Sequence, residues 1–267
     1  MTSYLINSRL VEDILTRNNH LNSPKFEKHK RENYDQLKLK AIEEEAKQHS
    51  IKIERDLEKK SQTSDYIIKP NFEQFIKQIT KAQEWAYNNT DASLTMLIKG
   101  VAGIINGEEQ PLDYRIIGVR PSGAKVTPPY PAKISLEMER FIDNYDFLEK
   151  AYEKGDVSAM DLAFYTHFQI ARIHPFEDGN GRTSRTIQNL LLEKDNLPPA
   201  VIFRGERETY RKLLENAILG YQDRDAYKKT ITSPISKEES QFYNFLATKT
   251  NIAIDLVLEG SFNKLSN

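Results

Sequence analysis

The stretch HPFEDGNGRTSR, His174 to Arg185, gathers one base, two acids, two arginines and a glycine pair into a single short run. A histidine accepts a proton near neutrality, with an unperturbed pKa of about 6.5. Pro175 pushes the residue before it out of helical conformation, so His174 is expected at the C-terminal edge of a helix, opening onto a loop. Phe176 is expected to anchor that loop in the core. Gly179, Asn180 and Gly181 permit positive φ and close approach of a ligand to the main chain. Successive N–H groups there, followed by a helix start, form an anion cradle. Arg182 and Arg185 are three apart on that helix and can reach one side. Their guanidinium forks suit phosphate oxygens. Asp178 is a hard oxygen ligand, and one carboxylate plus nucleotide phosphates is a usual arrangement for Mg²⁺. Base, cradle, metal ligand and cations together describe a phosphate-transfer site. The run lacks GxxxxGK[ST], which disfavours an ordinary P-loop ATPase.

The elements that must position these residues are mostly helical. Ala159 to Ile173 reads as a strong helix, with Leu162, Tyr165, Ile170 and Ile173 on its apolar face. Gly181 to Asn196 reads as a second helix, facing inward with Ile187, Leu190 and Leu191 and stopped by Leu197-Pro198-Pro199. Upstream, Phe72, Phe75, Ile76, Ile79 and Trp85 are spaced as on an amphipathic helix, and Ser93 to Gly107 fits a buried helix ending at glycine. Short strands are expected at Ile116–Arg120 and Lys125–Thr127, turned through Pro121-Ser122-Gly123. Pro128, Pro129 and Pro131 then force extended chain. Helical pattern resumes from Ser135 through Leu148, and again near Glu206–Gly220 and Ser236–Leu258. The fold class is mainly α, with one small β-hairpin.

Residues 1–65 are dominated by charge of both signs. Phe26, Tyr34, Leu37, Ile42 and Ala46 form an imperfect helical stripe, extended weakly by Ile51, Ile53 and Leu57. A solvated helix packed on one narrow face is the expectation, with partner binding or self-association as the alternative. Ser61 to Asp65 reads as a linker or cap. Three parts follow: a charged helical N-terminal region at 1–65, a catalytic domain at 66–235, and a C-terminal helix at 236–267.

The 267 residues suit one large domain, or one with an appendage. Lys plus Arg number 38 against 39 Asp plus Glu, a net charge of -1 that argues for neither nucleic acid nor an anionic membrane as partner. Absence of cysteine excludes disulfides, thiolate zinc sites and cysteine nucleophiles. MTSYLINSRLVEDILTR has no basic-then-apolar leader pattern, and no apolar run approaches the ~20 residues of a membrane helix. A cytoplasmic protein is expected. His20, His29 and His49 sit in the charged region and receive no role. His167 and His174 are seven apart and could share a face, but a metal pair needs further ligands and none has a recognisable pattern. His167 is read as structural support.

HPFEDGNGRTSR resembles the motif of the Fic (filamentation induced by cAMP) family, HPFx[D/E]GNGRxxR, at every fixed position. Tyr114-Arg115 ahead of the expected hairpin resembles the pair that precedes the family's flap. The resemblance runs over roughly Ser93 to Tyr227. It implies a Fic fold, a helical core with a β-hairpin flap, and transfer of AMP from ATP to a Ser, Thr or Tyr hydroxyl of a target protein, or of the chain itself, with release of pyrophosphate. Relatives using UTP or GTP, and a Fic module serving mainly as an interaction protein, are the alternatives. Carried over by position, His174 deprotonates the hydroxyl and Asp178 holds Mg²⁺ on the α- and β-phosphates. Gly179, Asn180 and Gly181 form the anion hole. Arg182 contacts the β-phosphate region, Arg185 the γ-phosphate, and Tyr210 the base. The target is expected to dock on the flap by strand addition.

Many family members restrain themselves with a glutamate from a [S/T]xxxE[G/N] helix that pairs with the second arginine, here Arg185. Ser23 to Lys28 and Asp255 to Gly260 are imperfect matches, the second through Glu259. Three sources of restraint stay open: Glu259 in cis, a separate antitoxin chain, or none.

Overall fold

The computed structural model describes residues 5–21, 72–121, 124–224 and 233–259. The stripe from Phe26 to Leu57, the linker Ser61 to Asp65 and the glutamate candidate in Ser23 to Lys28 lie outside the described residues. Eight α-helices are present among those described: α1 Ser8–Leu21, α2 Phe72–Tyr87, α3 Leu94–Asn106, α4 Ile134–Glu153, α5 Ala159–Ile173, α6 Asn180–Lys194, α7 Arg207–Asp223 and α8 Lys237–Glu259. Short 3-10 turns at Pro131–Lys133 and Arg204–Glu206 lead into α4 and α7.

The core is built around α5. Burial goes beyond the apolar face read from its sequence, since every residue from Ala159 to Ile170 is buried. Helices α4, α6 and α8 pack around it, which removes water from all sides. The polar residues thereby enclosed need partners, and Asp161 shows how this is met. It completes a capping box with Ser158 and accepts the Leu5 N–H at 3.2 Å. Toward its C-terminal end α5 enters an aromatic cluster. Phe168 lies 5.9 Å from Tyr221, 6.0 Å from Phe242 and 5.7 Å from Tyr243, between ring centroids. Losing such a ring from a packed core costs about 3–5 kcal/mol.

Helices α2 and α3 pack against each other and against α6. A Cβ at Gly100 of α3 would fall 2.1 Å from the Trp85 ring, so the bare backbone is what lets α2 sit this close. Ser93 caps the start of α3, and Gly107, at φ 85°, ends it. Helix α7 packs on α8, and α1 packs on α8 from the other side of the chain. Arg17 donates to Asn251 Oδ1 at 2.7 Å and pairs with Asp255; the Asn7 N–H reaches Asn244 Oδ1 at 2.9 Å.

The two strands expected at Ile116–Arg120 and Lys125–Thr127 are not strands among the described residues. The segment from Tyr114 to Pro129 is irregular, with Ser122 and Gly123 outside the described residues. Cross-strand pairing is replaced by ties to other parts of the fold. The Arg115 N–H goes to the Pro175 carbonyl at 2.9 Å, and the Lys125 N–H to Glu215 Oε1 at 3.1 Å. Ile116 is 87% exposed, so one limb of the segment packs on nothing that would hold a ladder in register. No helix among the described residues is long and apolar enough to cross a membrane.

Candidate active site

Helices α5 and α6 are joined by residues 174–179, and the candidate site is this joint. Helix α5 ends at His174, whose N–H still closes on the Ile170 carbonyl at 2.9 Å. His174 itself adopts the left-handed conformation, φ 53° and ψ 58°. For a residue other than glycine this is uncommon and costs of order 1–3 kcal/mol, which the surroundings must offset. Pro175 supplies part of the reason, because it bars the right-handed helix at the residue before it. Phe176 is fully buried against Tyr114, ring centroids 6.0 Å apart, as the sequence leads one to expect.

Asn180 ties the loop shut. Its Oδ1 accepts the Phe176 N–H at 2.9 Å and its Nδ2 donates to the Phe176 carbonyl at 2.8 Å. The side chain is thus spent on the loop, and what Asn180 can offer a ligand is its main chain. Gly179 precedes it at φ 76° as the N-cap of α6. A Cβ there would meet Asn106 Nδ2 at 2.9 Å, so the position is closed to any other residue without movement. The first turn of α6 leaves N–H groups with no helical partner, at the positive end of the helix dipole.

A cavity of about 260 Å³ opens in front of this joint. His174, Asp178, Gly179, Asn180, Gly181, Arg185 and Tyr210 all border it. Arg182 is not on that wall. It is turned back toward α3, with Nη1 on the Ile105 carbonyl at 3.2 Å, Nη2 on Asp178 Oδ2 at 3.3 Å and its guanidinium 4.5 Å from the Phe75 ring. The two arginines of the run therefore face different parts of the protein. Asp178 remains 81% exposed despite that ion pair, so its carboxylate is open to a ligand.

The electrostatics suit a neutral base. Burial pushes the His174 imidazole down to about 4; Arg115 adds to the lowering, while the Ala171 carbonyl and Asp178 oppose it. Nδ1 lies 3.4 Å from the Ala171 carbonyl, a long contact that favours the proton on Nδ1 and leaves Nε2 as acceptor. His167 is enclosed completely and pushed down to about 3 by burial, with Arg185 adding to the effect. Its Nε2 shares a hydrogen bond with the Tyr210 hydroxyl at 2.9 Å. Tyr210 is packed in the core and also borders the cavity.

Several cavity residues escape a reading by sequence. Leu214, Glu215 and Ile218 of α7 form one wall, at helical spacing from Tyr210, a pattern that was available. Arg172, at the end of α5, lines another. Its Nη1 reaches Glu137 at 2.8 Å, its Nε and Nη2 reach Gln169, and it lies 4.3 Å over the Tyr221 ring. Arg115, singled out in the sequence only as half of the Tyr114-Arg115 pair, lies off the cavity wall and donates to main-chain oxygens, a role its residue type does not reveal.

Residues 94–192 match the family model described as Fic/DOC family. That span of the chain is similar to the Fic/DOC family. The matched span begins at α3 and ends within α6, so it contains the whole joint just described. Among curated proteins, the chain is 37% identical over 90 residues to Protein adenylyltransferase Fic of Drosophila willistoni. That match covers 34% of this chain and only 17% of the relative. A Fic-domain-containing signaling protein from Bacteroides thetaiotaomicron superposes with a TM-score of 0.64 at 20% identity, covering 94% of this chain and 98% of that one. A Fic family protein from Desulfovibrio desulfuricans gives a TM-score of 0.58 at 17% identity, covering 99% and 76%. At those identities the two structures speak for the fold, and they extend it to helices outside the matched span.

Proposed function

We propose that the chain is a nucleotidyltransferase that moves AMP from ATP onto a Ser, Thr or Tyr hydroxyl of a protein, with residues 66–235 as the catalytic unit. The observation that carries this reading is the juxtaposition of a neutral His174 with the first turn of α6 and Arg185 around one cavity. The similarity to the Fic/DOC family and the adenylyltransferase name of the curated relative support the same class of reaction.

The step needs an acceptor for one proton and a holder for one leaving group. Nε2 of His174 takes the proton of the target hydroxyl. That oxygen bonds to the α-phosphorus, the bond from the α-phosphorus to the bridging oxygen breaks, and pyrophosphate leaves with the electron pair. The main-chain N–H groups of Asn180 and Gly181 face the charge of the phosphate chain, that of Gly179 joins them only by leaving Asp178 Oδ1, to which it donates at 2.7 Å, and Arg185 takes the far end. Leu214, Ile218, Val126 and Pro128 supply apolar walls for the nucleoside, with Tyr210 beside them. Positioning of hydroxyl and phosphate supplies much of the rate.

Magnesium fits as a partner of the nucleotide rather than of the protein alone. No group of three or more His, Cys, Asp or Glu able to hold an ion exists among the described residues. A single exposed carboxylate, Asp178, suits an ion that takes its other ligands from phosphates and water. When bound, the ion neutralises charge on the triphosphate. Arg182 orients the Asp178 carboxylate from behind, and contact with the β-phosphate would require it to leave the Ile105 carbonyl.

The target is proposed to lie along residues 116–120, next to His174. None of these residues donates a main-chain hydrogen bond within the described residues, so their amides can pair with an extended segment. Restraint by a glutamate on Arg185 remains a proposal with two sources, Glu259 or an antitoxin chain; Glu259 ends α8 and its side chain lies outside the described residues. Incubating the purified chain with Mg²⁺ and each triphosphate in turn, then weighing it intact, tests the reading. A gain of one AMP from ATP supports it. A gain from UTP or GTP alone replaces the donor, and no gain with any triphosphate, with or without a candidate target, contradicts it.

A further inference from the structure

Arg115 is almost fully buried, yet among the described residues its guanidinium meets main-chain oxygens and no carboxylate. Its Nε donates to the His174 carbonyl at 2.7 Å, Nη1 to the Ile117 carbonyl at 2.8 Å and Nη2 to the Pro129 carbonyl at 2.7 Å. Its own N–H goes to the Pro175 carbonyl at 2.9 Å. Burying a cation is costly unless its donors are well met, and here only main-chain oxygens meet them. Packing alone would be served as well by an aliphatic chain of the same size.

The three carbonyls belong to three separate stretches of the chain. One is that of the base. The other two lie on opposite limbs of the irregular segment beside the cavity, before and after its turn. Those limbs have no ladder of their own among the described residues, so the planar fork takes the place of strand pairing. The His174 carbonyl also belongs to a residue held in left-handed conformation, which persists only where neighbours over-determine it. A donor fixed on that carbonyl fixes the peptide plane, and with it the direction in which the imidazole leaves the backbone.

We infer that Arg115 is the positioning residue of the transfer step: it locks the base and both limbs of the target-facing segment to one rigid fork. Arg115 does not line the cavity, so it acts through His174. The inference rests on the adenylyl-transfer reading for its catalytic consequence, but the lock itself exists without nucleotide. A displacement near 1 Å between reacting groups costs on the order of 100-fold in rate. Lysine keeps the charge but is a point donor that cannot span three carbonyls in one plane.

The test uses the full chain as wild type, Arg115→Lys and Arg115→Met. The readouts are thermal unfolding, affinity for a non-hydrolysable ATP analogue, kcat and KM for AMP incorporation, and the ring resonances of His174 in the nucleotide-free protein. The expected result is a folded Arg115→Lys protein with unchanged analogue affinity and a kcat lower by roughly 10- to 100-fold. Its His174 ring signals broaden or double, and the amide signals of Gly118 and Tyr130, whose peptides carry the Ile117 and Pro129 carbonyls, shift with them. Wild-type kcat and sharp wild-type ring signals in both variants overturn the inference. So does unfolding of both variants, or a loss of analogue affinity in proportion to kcat, either of which assigns Arg115 to stability alone. If the wild type transfers nothing from any triphosphate, the functional reading has failed, and the ring and amide signals still decide the lock.

Discussion

Asn180 returns both ends of its side-chain amide to the main chain of one residue, Phe176, at 2.9 and 2.8 Å. Four residues of loop are closed into a ring by that pair, and the closed ring is what presents the first turn of α6 to the cavity. The residue that a binding site would be expected to use for its side chain is used for its backbone instead.

Asn180→Asp should therefore be worse than its small change in shape suggests. A carboxylate can accept from the Phe176 N–H but cannot donate to the Phe176 carbonyl, and it brings a charge into a buried place. We expect a loss of about 1–3 kcal/mol in urea unfolding, with nucleotide affinity falling as the ring loosens. Stability equal to wild type would mean that the loop holds itself without the amide.

Gly179→Ala combines two penalties at one position. The φ of 76° disfavours any side chain by roughly 1–2 kcal/mol, and the new methyl group would press on Asn106. We expect destabilisation together with loss of nucleotide binding, measured by titration with an ATP analogue. Full binding by a destabilised variant would separate the glycine from the cradle.

The pH profile should reveal a base held well below its ordinary value. His174 is lowered from 6.5 to about 4, so it stays neutral, and competent, from neutral pH down to near 5. The acid limb of kcat/KM is expected near 4, as activity falls with protonation of Nε2. A limb near 6.5 would mean that the imidazole is solvated in the working protein.

The same shift has a consequence for stability. A histidine whose folded value lies below its unfolded value favours the folded state fully above pH 6.5. That advantage shrinks as pH falls below 6.5 and is gone once the folded values are passed, about 4 for His174 and about 3 for His167. Urea midpoints should drop between pH 7 and pH 5, and His167→Gln should flatten part of that drop. An unchanged slope would place the sensitivity in other groups.

How far the site was legible depends on how local its causes are. Pro175 and Gly179 act on their immediate neighbours, so the end of α5, the start of α6 and the loop between them could be read from residue types. Phe176 likewise announced itself by its size. The cavity wall on α7 was half visible, through the spacing of Tyr210, Leu214 and Ile218. The strands expected at 116–120 and 125–127 are not found among the described residues, because alternation and turn residues describe a hairpin only if the two limbs pair with each other. Here Arg115 and Glu215 intercept them. Spacing and the family resemblance both put Arg182 on the phosphate side with Arg185, and the carbonyl of Ile105, which draws it away, leaves no mark in the sequence. The burial of α5 on all sides depends on three other helices, and no periodicity within α5 records that.

The most direct test of the account is the intact mass of wild type and His174→Ala after equal incubation with ATP and Mg²⁺, alone and with a protein that wild type modifies. Removal of a general base should slow transfer by about 10²–10⁴-fold while the variant still binds an ATP analogue. The account predicts a mass gain of one AMP on wild type or its target and next to none with the variant. Labelling by His174→Ala as fast as by wild type would contradict it.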